Sequence, residues 1–197
     1  GCALKGRGTG ARPRGGAAGA KGGPEGANAR AVAEGWDIVM LCMGSSGSVE
    51  SRMGGADGVI AGLRPGVIVI DFGTSLPGST KELGAEVAAK GAFYLDAPLG
   101  RTPSHAVDGL LNIMCSGDRE AFEKVQPVPE DLGENVFHLG ALGSGHTIKL
   151  LNNFFGMTVA NAMAEAFAMA DQAGVPRQGR YDVMSAGPLR SGMMVFV

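Results

Sequence analysis

The stretch from Gly145 to Ala173 contains no proline, and Gly156 is the only glycine inside it. Alanine, methionine, leucine and phenylalanine dominate the stretch, which predicts one helix of 29 residues, about 43 Å long at the usual rise per residue. Gly174 and Pro176 follow at positions typical of a helix end and of a new helix start. A helix that is apolar on most faces needs other helices around it. We therefore assign residues 143–197 to the long helix and the beginning of an all-α domain.

Ahead of this helix, short apolar runs alternate with stretches of helical character. Such runs are typical of strands that are buried on both faces of a parallel sheet. They comprise Asp37–Met43, Gly66–Phe72, Ala92–Pro98, Leu110–Gly117 and Asn135–Gly140. Pro77 and Ser79 open a helix that Gly91 follows, and Pro127 and Pro129 must interrupt or end the helix that begins at Asp118. The alternation predicts an α/β fold with a mostly parallel sheet over residues 36–142.

Residues 1–35 differ in composition from the rest of the chain. Twenty of them are glycine or alanine and several are basic. No phenylalanine, tyrosine or tryptophan occurs among them. Such a composition buries little apolar surface, so it predicts a flexible or poorly packed segment. A basic tail that touches phosphates is the alternative interpretation of the same residues.

The composition of the chain argues against several classes of function. The 17 basic and 19 acidic residues give a formal charge of −2, which offers no general attraction to nucleic acid. Three widely spaced cysteines predict neither a disulfide framework nor a zinc site, and the three histidines lack metal-ligand spacing. No apolar run has the length of a membrane span, and the start does not resemble a signal peptide. We expect no metal and no membrane partner, and a reduced, cytoplasmic environment.

Lys149 and Asn153 are candidates for chemistry, because residues four apart share one face of a helix. The apolar neighbours of Lys149 are expected to desolvate its amine in part, which lowers the pKa toward the range useful for proton transfer. The amide of Asn153 can hold a substrate oxygen without a change of charge. On residue types and spacing alone, however, a snorkelling surface lysine beside an ordinary asparagine is the favoured interpretation.

Three loops follow predicted strands, where open α/β sheets bind their ligands. In one of them, Arg101 offers a bidentate fork for a carboxylate, sulfonate or phosphate, and Thr102 adds a hydroxyl. A polar loop with a helix-capping threonine explains these two residues equally well. In another, Thr74 either hydrogen-bonds a cofactor or caps the next helix. The loop from Met43 to Ser48 is built of small residues and is open to close approach by a ligand.

Four stretches resemble the β-hydroxyacid dehydrogenase family in their order and spacing. They are DIVMLCMG, VIVIDFGTSLP, YLDAPLGRTPSHAVDGLLNIMCSGD and GSGHTIKLLNNFF. The resemblance implies an incomplete Rossmann-type domain that binds NAD or NADP, and a helical domain through which a homodimer or homotetramer forms. It implies an oxidoreductase that interconverts a short 3-hydroxy acid, a small anionic substrate, and its semialdehyde. It also makes Lys149 the general acid/base, which reverses the interpretation favoured by spacing alone.

The same resemblance implies roles for residues near the cofactor and the substrate. Met43 and Gly44 fall where backbone groups contact the dinucleotide, and Thr74 falls where a side chain contacts it. Asn153 becomes the residue that positions the substrate beside the catalytic lysine.

The loop of Gly100, Arg101 and Thr102 matches the family's substrate-anion loop in position but not in residues. The family usually has a serine and two glycines there. The Gly-Arg-Thr sequence is similar to the loop of sulfolactaldehyde reductases, where it faces a sulfonate. An arginine fork beside a hydroxyl suits a tetrahedral oxyanion, so a sulfonate or a differently placed carboxylate is an alternative for the substrate.

The resemblance also implies segments outside the chain as given. The family's first strand and glycine-rich phosphate loop are expected before Gly1, and its later helices after Val197, so the chain as given is expected to bind NAD(P) poorly. Two other functions stay open: an imine reductase, which a lysine at position 149 disfavours, and a non-catalytic scaffold. The missing phosphate loop favours the scaffold, and the presence of Lys149 and Asn153 disfavours it. The choice between NAD and NADP lies near Lys5–Thr9.

Overall fold

The computed structural model describes residues 26–190 of the chain. Its residues form two compact units, of which the first ends at Lys149 and the second begins at Leu150. The interpretations placed on residues 1–25, including the choice between NAD and NADP near Lys5–Thr9, lie outside the described residues.

The first unit alternates helices and strands up to the start of the long helix. In chain order its elements are α1 (Ala29–Gly35), β1 (Ile38–Leu41), α2 (Ser46–Met53), α3 (Val59–Gly62), β2 (Ile68–Asp71), α4 (Pro77–Ala88), β3 (Phe93–Asp96), β4 (Leu99–Gly100), α5 (Pro103–Val107), β5 (Leu111–Gly117), α6 (Arg119–Val125), α7 (Pro127–Leu132) and β6 (Gly133–His138). The long helix α8 (Ser144–Gln172) crosses into the second unit, which also contains α9 (Arg177–Ser185).

The strands form one sheet in the order β1-β2-β3-β5-β4, with β6 beside β5. The pairs β1–β2, β2–β3 and β5–β6 are parallel, which confirms the α/β fold with a mostly parallel sheet. Strand β5 runs antiparallel to β3 and to β4. The sequence did not predict this reversal, because an apolar run indicates a strand but not its direction.

The apolar core lies on both faces of the sheet, as the continuous apolar runs predict. Strand β2 shows the arrangement most clearly, since Val69 belongs to the core on one face and Ile70 to the core on the other. Neighbouring residues of a strand point to opposite faces, so a strand buried on both sides must be apolar at successive positions.

For Ala29–Gly35, helix α1 corrects the expectation that residues 1–35 are flexible or poorly packed. Asn28 caps it by accepting a hydrogen bond from the backbone N–H of Ala31 at 2.8 Å, and Ala29 and Ala33 are buried. The alanines that suggested poor packing serve here as small contact residues. They let α1 lie close to Gly62 of α3, where a Cβ atom would come within 2.4 Å of the Arg30 carbonyl oxygen.

The long helix α8 and the helix after Asp118 begin and end close to the positions that the sequence predicts. Helix α8 has the predicted 29 residues and is displaced by one residue, to Ser144–Gln172. Pro127 interrupts the helix after Asp118 as predicted, and it also begins the separate helix α7. Gly174 adopts a φ of 71° after α8, the left-handed conformation that ends helices.

The second unit exposes large apolar side chains on both of its helices. Those on α8 are Leu151, Phe154, Phe155, Met157 and Met169. Within residues 26–190, no helix combines the length and the apolar character that crossing a membrane requires, α8 included.

The contact between α1 and α3 is testable by adding one methyl group. Gly62→Ala is expected to lower the free energy of unfolding by about 1–3 kcal/mol, because the new Cβ meets backbone that has no free space. Urea unfolding followed through Trp36, the single tryptophan, measures this. Gly47→Ala is the matched control: it also changes a helical glycine, but in α2 a Cβ meets nothing within 4 Å. An equal loss in both variants would contradict the close α1–α3 packing.

Candidate functional site

The site is organised by two aspartates that end neighbouring parallel strands. Asp71 ends β2 and Asp96 ends β3, and the two are register partners in the sheet. Both side chains are fully buried. Register partners in a parallel pair point to the same face of the sheet. The two carboxylates therefore lie on one face, at the carboxyl ends of β2 and β3. Buried carboxylates require hydrogen-bond donors, and each has its own set.

Asp96 holds the beginning of α8. Its Oδ1 accepts a hydrogen bond from the backbone N–H of Gly143 at 2.8 Å, and its Oδ2 accepts one from the N–H of His146 at 2.7 Å. The hydroxyl of Ser116 donates to Oδ1 of Asp96, and its oxygen accepts from the N–H of Gly145 at 2.9 Å. The N–H groups of the first helical turn, which have no partner within a helix, are thereby satisfied.

Two glycines make this close approach possible. Gly143 adopts a φ of 90°, which turns the chain into the helix. A Cβ atom on Gly145 would lie 2.1 Å from the carbonyl oxygen of Met114, so only glycine lets the helix start pack against β5. The close approach at Gly145 is thus to the protein backbone.

Asp71 has a second set of donors. The backbone N–H of Gly73 donates to Oδ1 at 2.8 Å and the hydroxyl of Ser75 donates to Oδ2 at 2.9 Å, while the phenol of Tyr94 lies 3.5 Å from Oδ2. Burial, and then the charges of Asp71 and Asp96, raise the pKa of Tyr94 well above its usual value. Tyr94 is therefore a neutral donor at physiological pH.

The imidazole of His146 lies between the two carboxylates and is fully buried. Its Nδ1 is 2.8 Å from the Thr80 hydroxyl, and its Nε2 is 3.7 Å from Oδ2 of Asp71. The Thr80 hydroxyl donates its own proton to the carbonyl of Leu76, so its oxygen accepts from Nδ1, which assigns a proton to that nitrogen. His146 thus occupies a buried position between the start of α8 and the sheet.

Lys149 lies three residues beyond His146 on α8 and is partly buried. Desolvation by burial lowers the pKa of Lys149 below its ordinary value, as its apolar sequence neighbours predict. Within residues 26–190 the ammonium group forms no salt bridge that would restore the ordinary value. Asn153 belongs to the second unit and is exposed, and its role stays a prediction.

Arg101 adopts a left-handed backbone conformation, with a φ of 73°. Its guanidinium Nη1 donates to the carbonyl oxygen of Leu110 at 2.7 Å and to Oε2 of Glu134 at 2.5 Å. The predicted anion fork is therefore held by a protein carboxylate. Gly100 forms part of β4 and pairs with Asn112. The role of the loop in substrate binding stays a prediction.

Thr102 occupies the N-cap position of α5 without capping the helix through its side chain. Its hydroxyl instead lies 2.6 Å from the ring Nδ1 of His105 and 2.7 Å from the hydroxyl of Ser104. The helix-capping alternative for Thr102 thus holds in position but not in hydrogen bonding.

The loops after β1 and β2 lie against each other at the same sheet edge. A Cβ on Gly73 would lie 2.9 Å from the carbonyl oxygen of Met43, so the two backbones are in close contact. Gly44 is exposed, and nothing lies within 4 Å of the space that a side chain would fill. Thr74 is partly exposed, and α4 begins at Pro77 with Leu76 as its N-cap, so Thr74 does not cap that helix. The uncovered backbone of Gly44 and the hydroxyl of Thr74 lie in loops at the carboxyl ends of neighbouring parallel strands, which is where α/β sheets bind dinucleotides.

Other chemistries find little support in the described residues. Between positions 26 and 190, no group of three or more histidine, cysteine, aspartate or glutamate side chains is arranged to hold a metal ion. Burial raises the pKa of the Cys115 thiol to about 12, so that thiol is protonated and unreactive at neutral pH.

The contact between Thr80 and His146 gives a test of the buried network. Thr80→Val is expected to cost about 1–3 kcal/mol in the free energy of unfolding, because it leaves a buried imidazole N–H without an acceptor. Thr158→Val is the matched control, since the Thr158 hydroxyl also bonds the carbonyl four residues earlier in a helix but is exposed. The control should change stability by less than about 0.5 kcal/mol. Equal effects, measured by chemical unfolding and circular dichroism, would show that the imidazole contact contributes nothing.

Two family models of dinucleotide-binding domains match the chain. One, described as the NAD binding domain of 6-phosphogluconate dehydrogenase, matches residues 15–140. The other, described as NAD-binding of NADP-dependent 3-hydroxyisobutyrate dehydrogenase, matches residues 143–195. Together they include the sheet, the two buried aspartates and the long helix.

Known proteins of this kind are similar in sequence and in structure. The chain is 31% identical to 2-(hydroxymethyl)glutarate dehydrogenase of Eubacterium barkeri, over 85% of this chain and 56% of that protein. It is 30% identical to 3-sulfolactaldehyde reductase of Escherichia coli (strain K12), over 84% of this chain and 55% of that protein. The solved structure of Mycobacterium tuberculosis 3-hydroxyisobutyrate dehydrogenase with L-serine superposes with a TM-score of 0.83 at 26% identity, over 93% of this chain and 62% of that one. The chain spans about half the length of the curated relatives it matches.

Proposed function

Because the chain belongs to the β-hydroxyacid dehydrogenase family of NAD(P)-binding oxidoreductases, we propose that the whole protein interconverts a short 3-hydroxy acid and its semialdehyde, with Lys149 as the general acid/base. The observation that carries the proposal is the lowered pKa of a partly buried lysine, on a helix whose first turn is fixed to the sheet. Assembly into a homodimer or homotetramer and a cytoplasmic location belong to the same proposal and rest on family membership.

The chemistry divides between the cofactor and the lysine. When bound, NAD(P)H would supply the hydride for reduction, and NAD(P)+ would take up the hydride in oxidation. The Lys149 ammonium donates a proton to the aldehyde oxygen during reduction, and the neutral amine removes the hydroxyl proton during oxidation. Lowering the pKa of Lys149 makes the ammonium a better acid and increases the share of neutral amine at physiological pH.

The residues around the lysine are proposed to hold the reactants. Backbone groups of Met43 and Gly44 and the hydroxyl of Thr74 contact the dinucleotide in this proposal, which is supported by the open space at Gly44 and the partial exposure of Thr74. The amide of Asn153 holds the substrate oxygen. Support for these roles comes from their positions after strands and from the family.

The loop of Gly100, Arg101 and Thr102 is proposed to bind the anionic end of the substrate. Glu134 holds the Arg101 guanidinium in the structure, so a substrate anion has to compete with this carboxylate. A sulfonate is a candidate anion besides a carboxylate, since one relative is a 3-sulfolactaldehyde reductase. Both anions have the paired oxygens that an arginine fork recognises.

The role of Lys149 is testable by Lys149→Met in the full-length protein. Without a proton donor, kcat for aldehyde reduction should fall by about 10²–10⁴. In the unaltered protein, reduction should decline and oxidation should rise as the pH passes through the pKa of Lys149, which lies below the ordinary lysine value. The variant should lose this dependence. Lys90→Met, which changes an exposed lysine of the same unit, should leave both rate and pH profile intact. Full activity of Lys149→Met would refute the proposal.

The role of Arg101 is testable by changing the arginine and its partner separately. Arg101→Ala should raise KM about tenfold to hundredfold for the preferred anionic substrate, because a charged hydrogen bond is lost. Glu134→Gln should lower KM severalfold, because it releases the guanidinium. Arg119→Ala is the control, since it breaks another arginine–glutamate pair on an exposed helix.

The measurement is a steady-state comparison of 3-hydroxy carboxylates with their sulfonate analogues. A preference for the sulfonates that Arg101→Ala abolishes would favour the sulfolactaldehyde-type activity. Unchanged KM values for both substrate classes in Arg101→Ala and Glu134→Gln would remove Arg101 from the substrate site.

A further inference from the structure

We propose that Asp96 is the positioning residue for Lys149: it fixes the first turn of α8 to the end of β3 and thereby sets where the catalytic amine stands. The inference rests on the proposed function of Lys149 and adds a residue that neither the motif spacing nor the composition of the chain singled out. Asp96 does not touch the substrate in this proposal; it acts through the helix.

The hydrogen bonds of Asp96 show that its carboxylate serves the helix and not a ligand. Both oxygens are occupied, one by the N–H of Gly143 and the hydroxyl of Ser116, the other by the N–H of His146. The side chain has no exposed surface. A carboxylate placed so deeply costs solvation free energy that only these donors offset, so their geometry is held tightly.

Ser116 makes the attachment of the helix start to Asp96, here called the anchor, more rigid. Ser116 lies opposite Asp96 on the antiparallel strand β5, and its hydroxyl links the carboxylate to the N–H of Gly145. Three successive parts of the helix start, at residues 143, 145 and 146, are thus tied to two paired strands. The attachment sets both the height of the helix along its axis and its rotation about that axis.

Lys149 is close enough to this anchor to be governed by it. It follows His146 by three residues, which is less than one helical turn and a rise of about 4.5 Å. Rotation of the first turn by one residue would swing Lys149 by about 100° around the helix axis. A proton donor has to lie within about 3 Å of its acceptor, so a small shift at the anchor removes the amine from reach.

Asp96 acts on the lysine through this geometry, because desolvation by burial is the cause of the lowered pKa of Lys149. The other titratable groups around the start of α8 are the carboxylate of Asp71 on β2, Lys81 on α4, whose side chain lies against Gly143, the phenol of Tyr94 on β3, the thiol of Cys115 on β5 and the ring of His146 on α8 itself. An Asp96→Asn change leaves all of these in place and removes one negative charge.

The test is Asp96→Asn in the full-length protein, with Asp118→Asn as matched control. Asp118 also accepts a helix N–H through its side chain, from Ala121 at 2.8 Å, but it caps α6, which carries no proposed catalytic residue. Hydrogen exchange measures the anchor: the amide of His146 should exchange at least about tenfold faster in Asp96→Asn, and the α6 amides should not.

Kinetics measure the positioning role. In Asp96→Asn, kcat for reduction should fall at least about tenfold with KM changed less than threefold, because proton donation and not binding is impaired. A residue that only stabilises the fold would not lower kcat while leaving KM in place, and Asp118→Asn should leave both unchanged.

The outcomes separate this inference from the proposed function. If Lys149→Met is inactive while Asp96→Asn leaves exchange and kcat unchanged, the positioning role is refuted and the function of Lys149 stands. If Lys149→Met is fully active, both are refuted. Should Asp96→Asn fail to fold, Ser116→Ala replaces it: removal of one hydroxyl should speed exchange at Gly145 and lower kcat in the same direction, and unchanged values would overturn the proposal.

Discussion

A buried carboxylate at the end of β3 joins three parts of the chain that are far apart in sequence. Asp96 accepts hydrogen bonds from residues 20, 47 and 50 positions away, on β5 and at the start of α8. Because an unpaired buried carboxylate is strongly unfavourable, the sheet edge and the helix start have to form together. The fold and the candidate site therefore share one interaction, and the helix that carries Lys149 takes its position from the sheet.

The second aspartate extends the same network toward the loops after β1 and β2. Asp71 accepts a hydrogen bond from the N–H of Gly73, whose backbone lies against Met43, and its other oxygen faces the ring of His146. One side of this network thus orders these two loops, and the other side lies beneath α8. The first unit alone contains all of these contacts, so the spacing between the two loops and Lys149 is fixed within one compact unit.

Periodicity and composition predicted the elements but not their long-range contacts. The apolar runs located five strands and α8 to within a few residues, because strand and helix patterns are local. The two-residue strand β4 is too short to leave a pattern, and the alanine-rich α1 was misjudged because its packing depends on Gly62. The buried network was missed for the same reason: Asp71 and Asp96 each look like ordinary residues at a strand end. Their shared position after apolar runs was the available signal.

Arg101 shows how a local rule that is broken can point to function. A φ of 73° costs a residue with a Cβ roughly 1 kcal/mol or more relative to glycine, which avoids the clash. Two hydrogen bonds of the guanidinium, to Leu110 and Glu134, hold the loop in this conformation. Glycine would adopt the same turn without that cost, so turn geometry alone does not explain an arginine here. The guanidinium supplies the two hydrogen bonds that glycine lacks, and the exchange of Glu134 for an anionic substrate is the role proposed for it above.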